Sequence, residues 1–170
     1  MNPSFELSPV KSDADIHRTA ELADEIWHQH FTPIIGAEQV DYMLRNLQSF
    51  EPMKEQIESG YEYFLLRADG QDVGYSAIHA EDGRLFLSKL YLRSSVRGNG
   101  YASRVLQYYE DLCRARGLSA IWLTCNRFNA NSLGIYGHWG FQKVREEKAD
   151  IGGGYYMDDY IMEKQVLPNK

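Results

Sequence analysis

The 170-residue sequence is poor in the features that mark several large classes of protein. It has only two cysteines, Cys113 and Cys125, too few for a disulfide framework, and no CxxC or Cys/His cluster that would spell a zinc site. No stretch approaches the ~20 consecutive apolar residues of a membrane-spanning helix. The opening, MNPSFELSPVKSDAD, has no basic segment leading into an apolar one. The expectation is therefore no signal peptide, no membrane partner and a cytoplasmic location. Positive charge is scarce as well. Eighteen Lys and Arg against 24 Asp and Glu give a net charge of -6, opposite in sign to the usual nucleic-acid binder, so no nucleic-acid partner is expected. Repeats, low-complexity runs and long linkers are missing too.

What remains is the composition of a globular chain: 44% hydrophobic and 25% charged, at a length that suits one domain over residues 1–170. Phe5 to Val10 alternates as a first strand. Ser12 or Asp13 can cap a helix running to about His30, with Ile16, Ala20, Ala23 and Trp27 at helical spacing, before Pro33 and Gly36 interrupt. Val40, Leu44 and Leu47 mark a second helix, which Pro52 restarts and Gly60 stops. Tyr61 to Arg67 and Val73 to Ala80 read as strands joined at Asp69-Gly70. After the turn Glu81-Asp82-Gly83 comes the strand Leu85 to Leu92. A helix follows, with Val105, Leu106, Tyr109, Leu112 and Cys113 as its apolar stripe and Gly117 as its end. Ala120 to Cys125 is expected to run parallel to Leu85–Leu92 through a right-handed crossover. A short helix from Asn129 to Trp139 and two strands, Phe141 to Lys148 and Tyr155 to Val166, complete an α+β fold. The sheet should be mixed, mostly antiparallel, of 6–7 strands, with helices on both faces.

The most informative stretch lies between that central strand and the amphipathic helix: Arg97-Gly98-Asn99-Gly100-Tyr101-Ala102-Ser103. A helix N-terminus offers unpaired backbone N–H groups and a partial positive charge, glycines let an anion come close, and Arg97 adds a cation. The combination suits a diphosphate. It is not a P-loop, since no Gly-Lys pair occurs in the chain. Nor is it a dinucleotide fingerprint, because the third glycine is Ser103, the loop is in mid-chain and position 123 is Leu.

Arg97-x-x-Gly100-x-Ala102 resembles the R/Q-x-x-G-x-G/A pyrophosphate loop of the GNAT superfamily of N-acetyltransferases. Leu90-Tyr91-Leu92 is similar to the central strand that precedes it in that family. Asn129-x-x-Ser132-x-x-x-Tyr136, followed by Gly140-Phe141, resembles the second signature, N-x-x-A/S-x-x-x-Y and GF. The resemblance covers about residues 60–166, the acetyl-CoA-binding core, and leaves residues 13–59 as a variable helical, substrate-side region.

The resemblance implies acetyl-CoA as cosubstrate; no metal is expected, since the sequence has no CxxC or Cys/His cluster. Backbone amides from Arg97 through Gly98, Asn99, Gly100, Tyr101 and Ala102 to Ser103 would hold the pyrophosphate, and Leu90, Tyr91 and Leu92 would lie along the pantetheine arm. Asn129 and Ser132 would contact the arm further on. Which of Asn126, Asn129 and Asn131 caps the helix and which binds stays open. Tyr136 is the expected catalytic residue, because a phenol can protonate or hydrogen-bond the departing thiolate. No carboxylate lies on Leu85–Leu90, where many members of the family carry a glutamate base. Glu81, Asp82 and His79 are weak substitutes, and Cys125 reads as a small buried hydrophobe rather than a nucleophile, so direct transfer in a ternary complex is favoured.

The acceptor is expected to be a primary amine of a small molecule. The final segment, with Asp158 and Asp159 among aromatics, resembles the last strand of bacterial polyamine acetyltransferases, which points to a cation. Alternation aims the two acids at opposite faces, leaving one of them solvated. The rival readings are an acetyltransferase of protein N-termini or lysines, a non-catalytic acyl-CoA-binding module, and, more remotely, a nicotinamide-binding oxidoreductase. A homodimer is compatible with the sequence.

Overall fold

A computed structural model describes residues 4–168; the outermost residues of the 1–170 span lie outside the described ones. The strands are β1 (Phe5–Pro9), β2 (Glu62–Ala68), β3 (Gln71–Glu81), β4 (Arg84–Leu92), β5 (Ala120–Asn126), β6 (Gln142–Gly152) and β7 (Tyr155–Gln165). The helices are α1 (Asp13–Ile35), α2 (Ala37–Leu47), α3 (Phe50–Glu58), α4 (Tyr101–Arg116) and α5 (Ala130–His138). The strands form one seven-stranded sheet in the order β1-β2-β3-β4-β5-β7-β6. It is antiparallel in β1–β2–β3 and β5–β7–β6, with a parallel β4–β5 pair. That parallel register takes in two pairs, Leu85 with Ile121 and Phe86 with Trp122.

Both early hairpins close as the sequence suggested. Asp69 and Gly70 have φ of 52° and 80°, Asp82 and Gly83 of 53° and 74°, the double left-handed pattern that matches strand twist. Ser12 caps α1 by accepting from the Asp15 N–H at 3.1 Å. The helix does not end at His30, however. It carries Pro33 inside its last turn and stops at Gly36, where φ is 88°. A proline there forfeits one hydrogen bond, and Phe31, 7% exposed and stacked on Trp27, anchors the turn that contains it.

The chain divides into two compact units. The first comprises Met1–His79 with Lys89–Val105. Its core is built by Ile16, Leu22, Ile26, Trp27, Met43 and Met53 of the helices against Tyr63, Leu65 and Tyr75 of the strands. A polar thread runs through it: the Trp27 indole donates to the Tyr75 hydroxyl at 2.9 Å, which donates to Gln48 Oε1 at 3.0 Å. The buried Lys89 ammonium reaches the Tyr63 hydroxyl at 2.6 Å and Gln56 Oε1 at 3.0 Å, and burial lowers its pKa to about 7.

The second unit comprises Ala80–Ser88 with Leu106–Lys170. Leu106, Tyr109 and Cys113 of α4 and Ile121, Leu123, Phe141, Ile161 and Met162 form its core, while Leu112 is only half-buried. Gly117, at φ 70°, ends α4 with the paired bonds Leu118 N–H to Cys113 O and Gly117 N–H to Arg114 O. Strand β6 runs on to Gly152, past Lys148, because its residues continue to pair with β7 as far as Tyr155.

Candidate active site

In the first unit, β4 ends at Leu92 and a 3-10 turn, Ser94–Val96, leads into the loop Arg97–Gly100 and the start of α4. Leu90, Tyr91 and Leu92 are half-buried. The Tyr91 ring belongs to the core, edge-on to Trp27 and Phe31 and tilted on Tyr75, so what this stretch can offer a ligand is backbone. Gly74 of β3 allows the approach that seats it: a Cβ there would lie 2.3 Å from the Tyr91 carbonyl oxygen.

The loop itself is exposed from Arg97 to Gly100. Gly98 and Gly100 have φ of 84° and 77°, a region that side chains rarely tolerate, although a Cβ at either would meet nothing within 4 Å. Their function is to turn the backbone. Asn99 Nδ2 ties the loop to the Val96 carbonyl at 2.9 Å, and Arg97 Nη2 donates to the Leu92 carbonyl at 3.3 Å. Tyr101 is buried, its ring stacked on Phe5 at 4.6 Å, which pins the first turn of α4; Ala102 and Ser103 are half-buried beside it. The first-turn amides of a helix have no intrahelical acceptor, and next to an exposed guanidinium they fit a diphosphate.

In the second unit, β5 delivers Cys125 and Asn126 to the start of α5. Asn129 is the cap of this helix, accepting from the Ser132 N–H at 3.4 Å, while Asn126 Oδ1 closes a turn by accepting from the Phe128 N–H at 2.9 Å. Asn131 is exposed. Tyr136 follows two turns after the cap. Its ring meets Phe141 edge-on at 5.5 Å, its carbonyl accepts the Phe141 N–H at 3.0 Å, and burial, with a smaller contribution from Cys125, raises its pKa above that of an ordinary phenol. Cys125 is buried and its thiol is pushed up to about 12, so it is a thiol throughout the neutral range.

Among the weak base candidates, Asp82 occupies the left-handed position of its turn, Glu81 is exposed, and the His79 ring stacks on Tyr61 at 4.6 Å. The acids at the end of the chain separate as alternation requires, but it is Asp158 that is half-exposed, paired with Arg127 Nε at 2.8 Å. Asp159 is 6% exposed, and its carboxyl is pushed up to about 6 by burial first and then by Asp158 and Glu147. Alternation assigned two faces without revealing which of them is covered. Among the described residues, no group of three or more His, Cys, Asp or Glu side chains is arranged to hold a metal ion.

The model of the acetyltransferase (GNAT) family matches residues 20–141, a segment that takes in the loop, Asn129 and Tyr136. The chain belongs to the GNAT family. A curated relative, an uncharacterized N-acetyltransferase of Mycobacterium bovis, is 29% identical over 102 residues, 59% of this chain and 65% of that protein, so the alignment spans slightly less than two thirds of the relative. Among solved structures, the PaiA N-acetyltransferase of Thermoplasma acidophilum in complex with coenzyme A superposes with a TM-score of 0.78 at 22% identity, covering 95% of this chain and 99% of that one. A ribosomal-protein alanine N-acetyltransferase of Escherichia coli superposes with a TM-score of 0.73 at 14% identity, covering 98% and 97%. At those identities the likeness is one of fold.

Proposed function

We propose that this GNAT chain is an acetyl-CoA-dependent N-acetyltransferase that acetylates a primary amine of a small, cationic molecule in a ternary complex, with residues 60–166 holding the cosubstrate and residues 13–59 shaping the acceptor side. The observation that carries the reading is the loop before α4, with two left-handed glycines and an exposed arginine at a helix N-terminus, in a chain matched by the family model. The coenzyme A in the PaiA structure supports the same cosubstrate.

The bound cosubstrate supplies an activated acyl thioester. Amides of Gly98 to Ser103 bind its diphosphate, and the backbone of Leu90–Leu92 aligns the arm as an added strand would. Tyr136 serves the leaving sulfur. A phenol is already a weaker acid than a thiol and burial weakens it further, so full proton transfer is uphill, and its contribution is a hydrogen bond that stabilises charge on sulfur as the C–S bond breaks. The raised pKa of Cys125 argues against an acetyl-cysteine intermediate and supports direct transfer.

A panel of spermidine, spermine, aminoglycosides and peptides, assayed by release of free CoA, tests the proposal. Turnover of a small polyamine is expected, and Tyr136→Phe should lower kcat roughly 10–100-fold with the KM for acetyl-CoA nearly unchanged. Acetylation confined to peptides would reject the acceptor class, and an undiminished Tyr136→Phe rate would reject the role of the phenol.

A further inference from the structure

Helix α2 has 11 residues and no side-chain cap at its start, where Gly36, at φ 88°, both ends α1 and opens α2. An isolated helix of that length is marginal in water, so its order depends on what it packs against. Val40, Met43 and Leu44 supply the buried stripe. On an exposed flank of the same helix, the Asp41 carboxylate meets the His28 ring of α1, with Nε2 and Oδ1 2.8 Å apart. The other ring nitrogen, Nδ1, lies 2.7 Å from the Asp24 carbonyl oxygen, one turn back in α1. All of these residues belong to the first unit.

These two contacts fix the charge of the ring. A neutral imidazole has one donor nitrogen and one acceptor nitrogen, whereas a backbone carbonyl and a carboxylate only accept. Both bonds exist together only when both nitrogens carry protons, so the ring that makes them is an imidazolium. A neutral ring can keep one bond at most. If it keeps the one within α1, Asp41 faces a lone pair, and in either tautomer the charge attraction between the helices is gone. The Asp41 hydrogen bond first, and then the Asp24 carbonyl, raise the His28 pKa above 6.5, and the Asp24 carboxylate, 3.6 Å from Nδ1, adds to them. Of the other charged groups on the neighbouring elements, Lys54 of α3 pairs with Asp13 at the far end of α1 at 3.4 Å, and Arg93, just past β4, holds Glu25 at 2.9 Å. Glu38 and Arg45 lie about one turn to either side of Asp41 on α2.

We propose that His28 is a pH-operated clasp, which ties α2 to α1 while its ring is charged and releases that helix when the ring is neutral. Linkage gives the direction. A raised folded-state pKa means a stabilisation that is complete below the unfolded value, about 6.5, and is lost as pH rises through the folded one. Both side chains reach solvent, so the contribution is modest and local: α2 loosens while the fold persists. Gly36 is the pivot, a position where even a Cβ would meet nothing within 4 Å. The inference stands apart from the acetyltransferase reading, although α2 lies in residues 13–59, the segment proposed above to shape the acceptor side.

Two measurements on the full chain test this, and neither needs a substrate. The first is the titration of the His28 ring by NMR in wild type, Asp41→Asn and Asp24→Asn, exposed substitutions that leave the core intact. The wild-type midpoint should lie above 6.5, and Asp41→Asn should lower it further than Asp24→Asn, which keeps its carbonyl. The second is hydrogen exchange of the α2 amides from Val40 to Leu47, corrected for the intrinsic pH dependence of exchange. Protection in wild type should fall roughly two- to fivefold as the ring loses its proton, the size expected of an exposed pair. In Asp41→Asn it should be flat across the same range. A wild-type midpoint at or below 6.5 would overturn the proposal, as would an Asp24→Asn shift as large as that of Asp41→Asn. So would α2 protection that ignores the titration in wild type, or that falls equally in Asp41→Asn.

Discussion

Lys89 and Asp159 are buried charges on different strands, 5% and 6% exposed, and each shifts toward its neutral form. The Lys89 ammonium donates to the Tyr63 hydroxyl and to Gln56 Oε1. Its folded-state pKa of about 7 lies below the ordinary 10.5. Between those values the unfolded chain binds a proton that the folded chain does not, so stability rises with pH across that window, and the cost of the charge is greatest below it. Lys89→Met should therefore raise stability at pH 7 by about 1–3 kcal/mol, read from urea midpoints, because it removes the charge while Tyr63 and Gln56 keep each other. The gain should fade by pH 10. A loss of stability at pH 7 would show that the hydrogen bonds of the amine outweigh its burial.

At the scale of elements, the site depends on where β4 ends and how α4 begins. Gly74 governs the first: a Cβ there would stand 2.3 Å from the Tyr91 carbonyl oxygen and 3.2 Å from the Leu92 Cα, contacts that only backbone movement can relieve. Gly74→Ala is expected to cost roughly 2–4 kcal/mol in urea unfolding. Gly98→Ala meets open space and should cost about 1 kcal/mol through its left-handed φ, while weakening acetyl-CoA binding more than tenfold by titration. Equal losses of stability in the two variants would contradict the distinction. Much of this architecture was legible beforehand, because turns and caps are written in local chemistry: Asp69-Gly70, Asp82-Gly83, Ser12 and Gly117 each specify their own backbone. The extent of α1 was not, since the packing of Phe31 overrides the proline signal two residues later. The choice of Asn129 as the cap also depended on geometry, three asparagines being equally able in sequence. The burial of Lys89 and Asp159 was hidden for a related reason. Alternation tells which residues share a face, but what covers that face is decided by residues distant in the chain.

The molecule as a whole carries a net charge of -6, and the reading asks it to bind a polyanionic cosubstrate. Long-range attraction cannot do this; the field of the whole chain opposes it and would favour a cationic acceptor instead. Affinity for the diphosphate must come from short-range donors, the amides opening α4 and the guanidinium of Arg97, so the account stands or falls on that one loop. A crystal structure of the protein grown with coenzyme A tests it most directly. The diphosphate is expected within hydrogen-bond distance of the backbone amides between Gly98 and Ser103. Coenzyme A ordered at any other place on the surface, with that loop untouched, would contradict it.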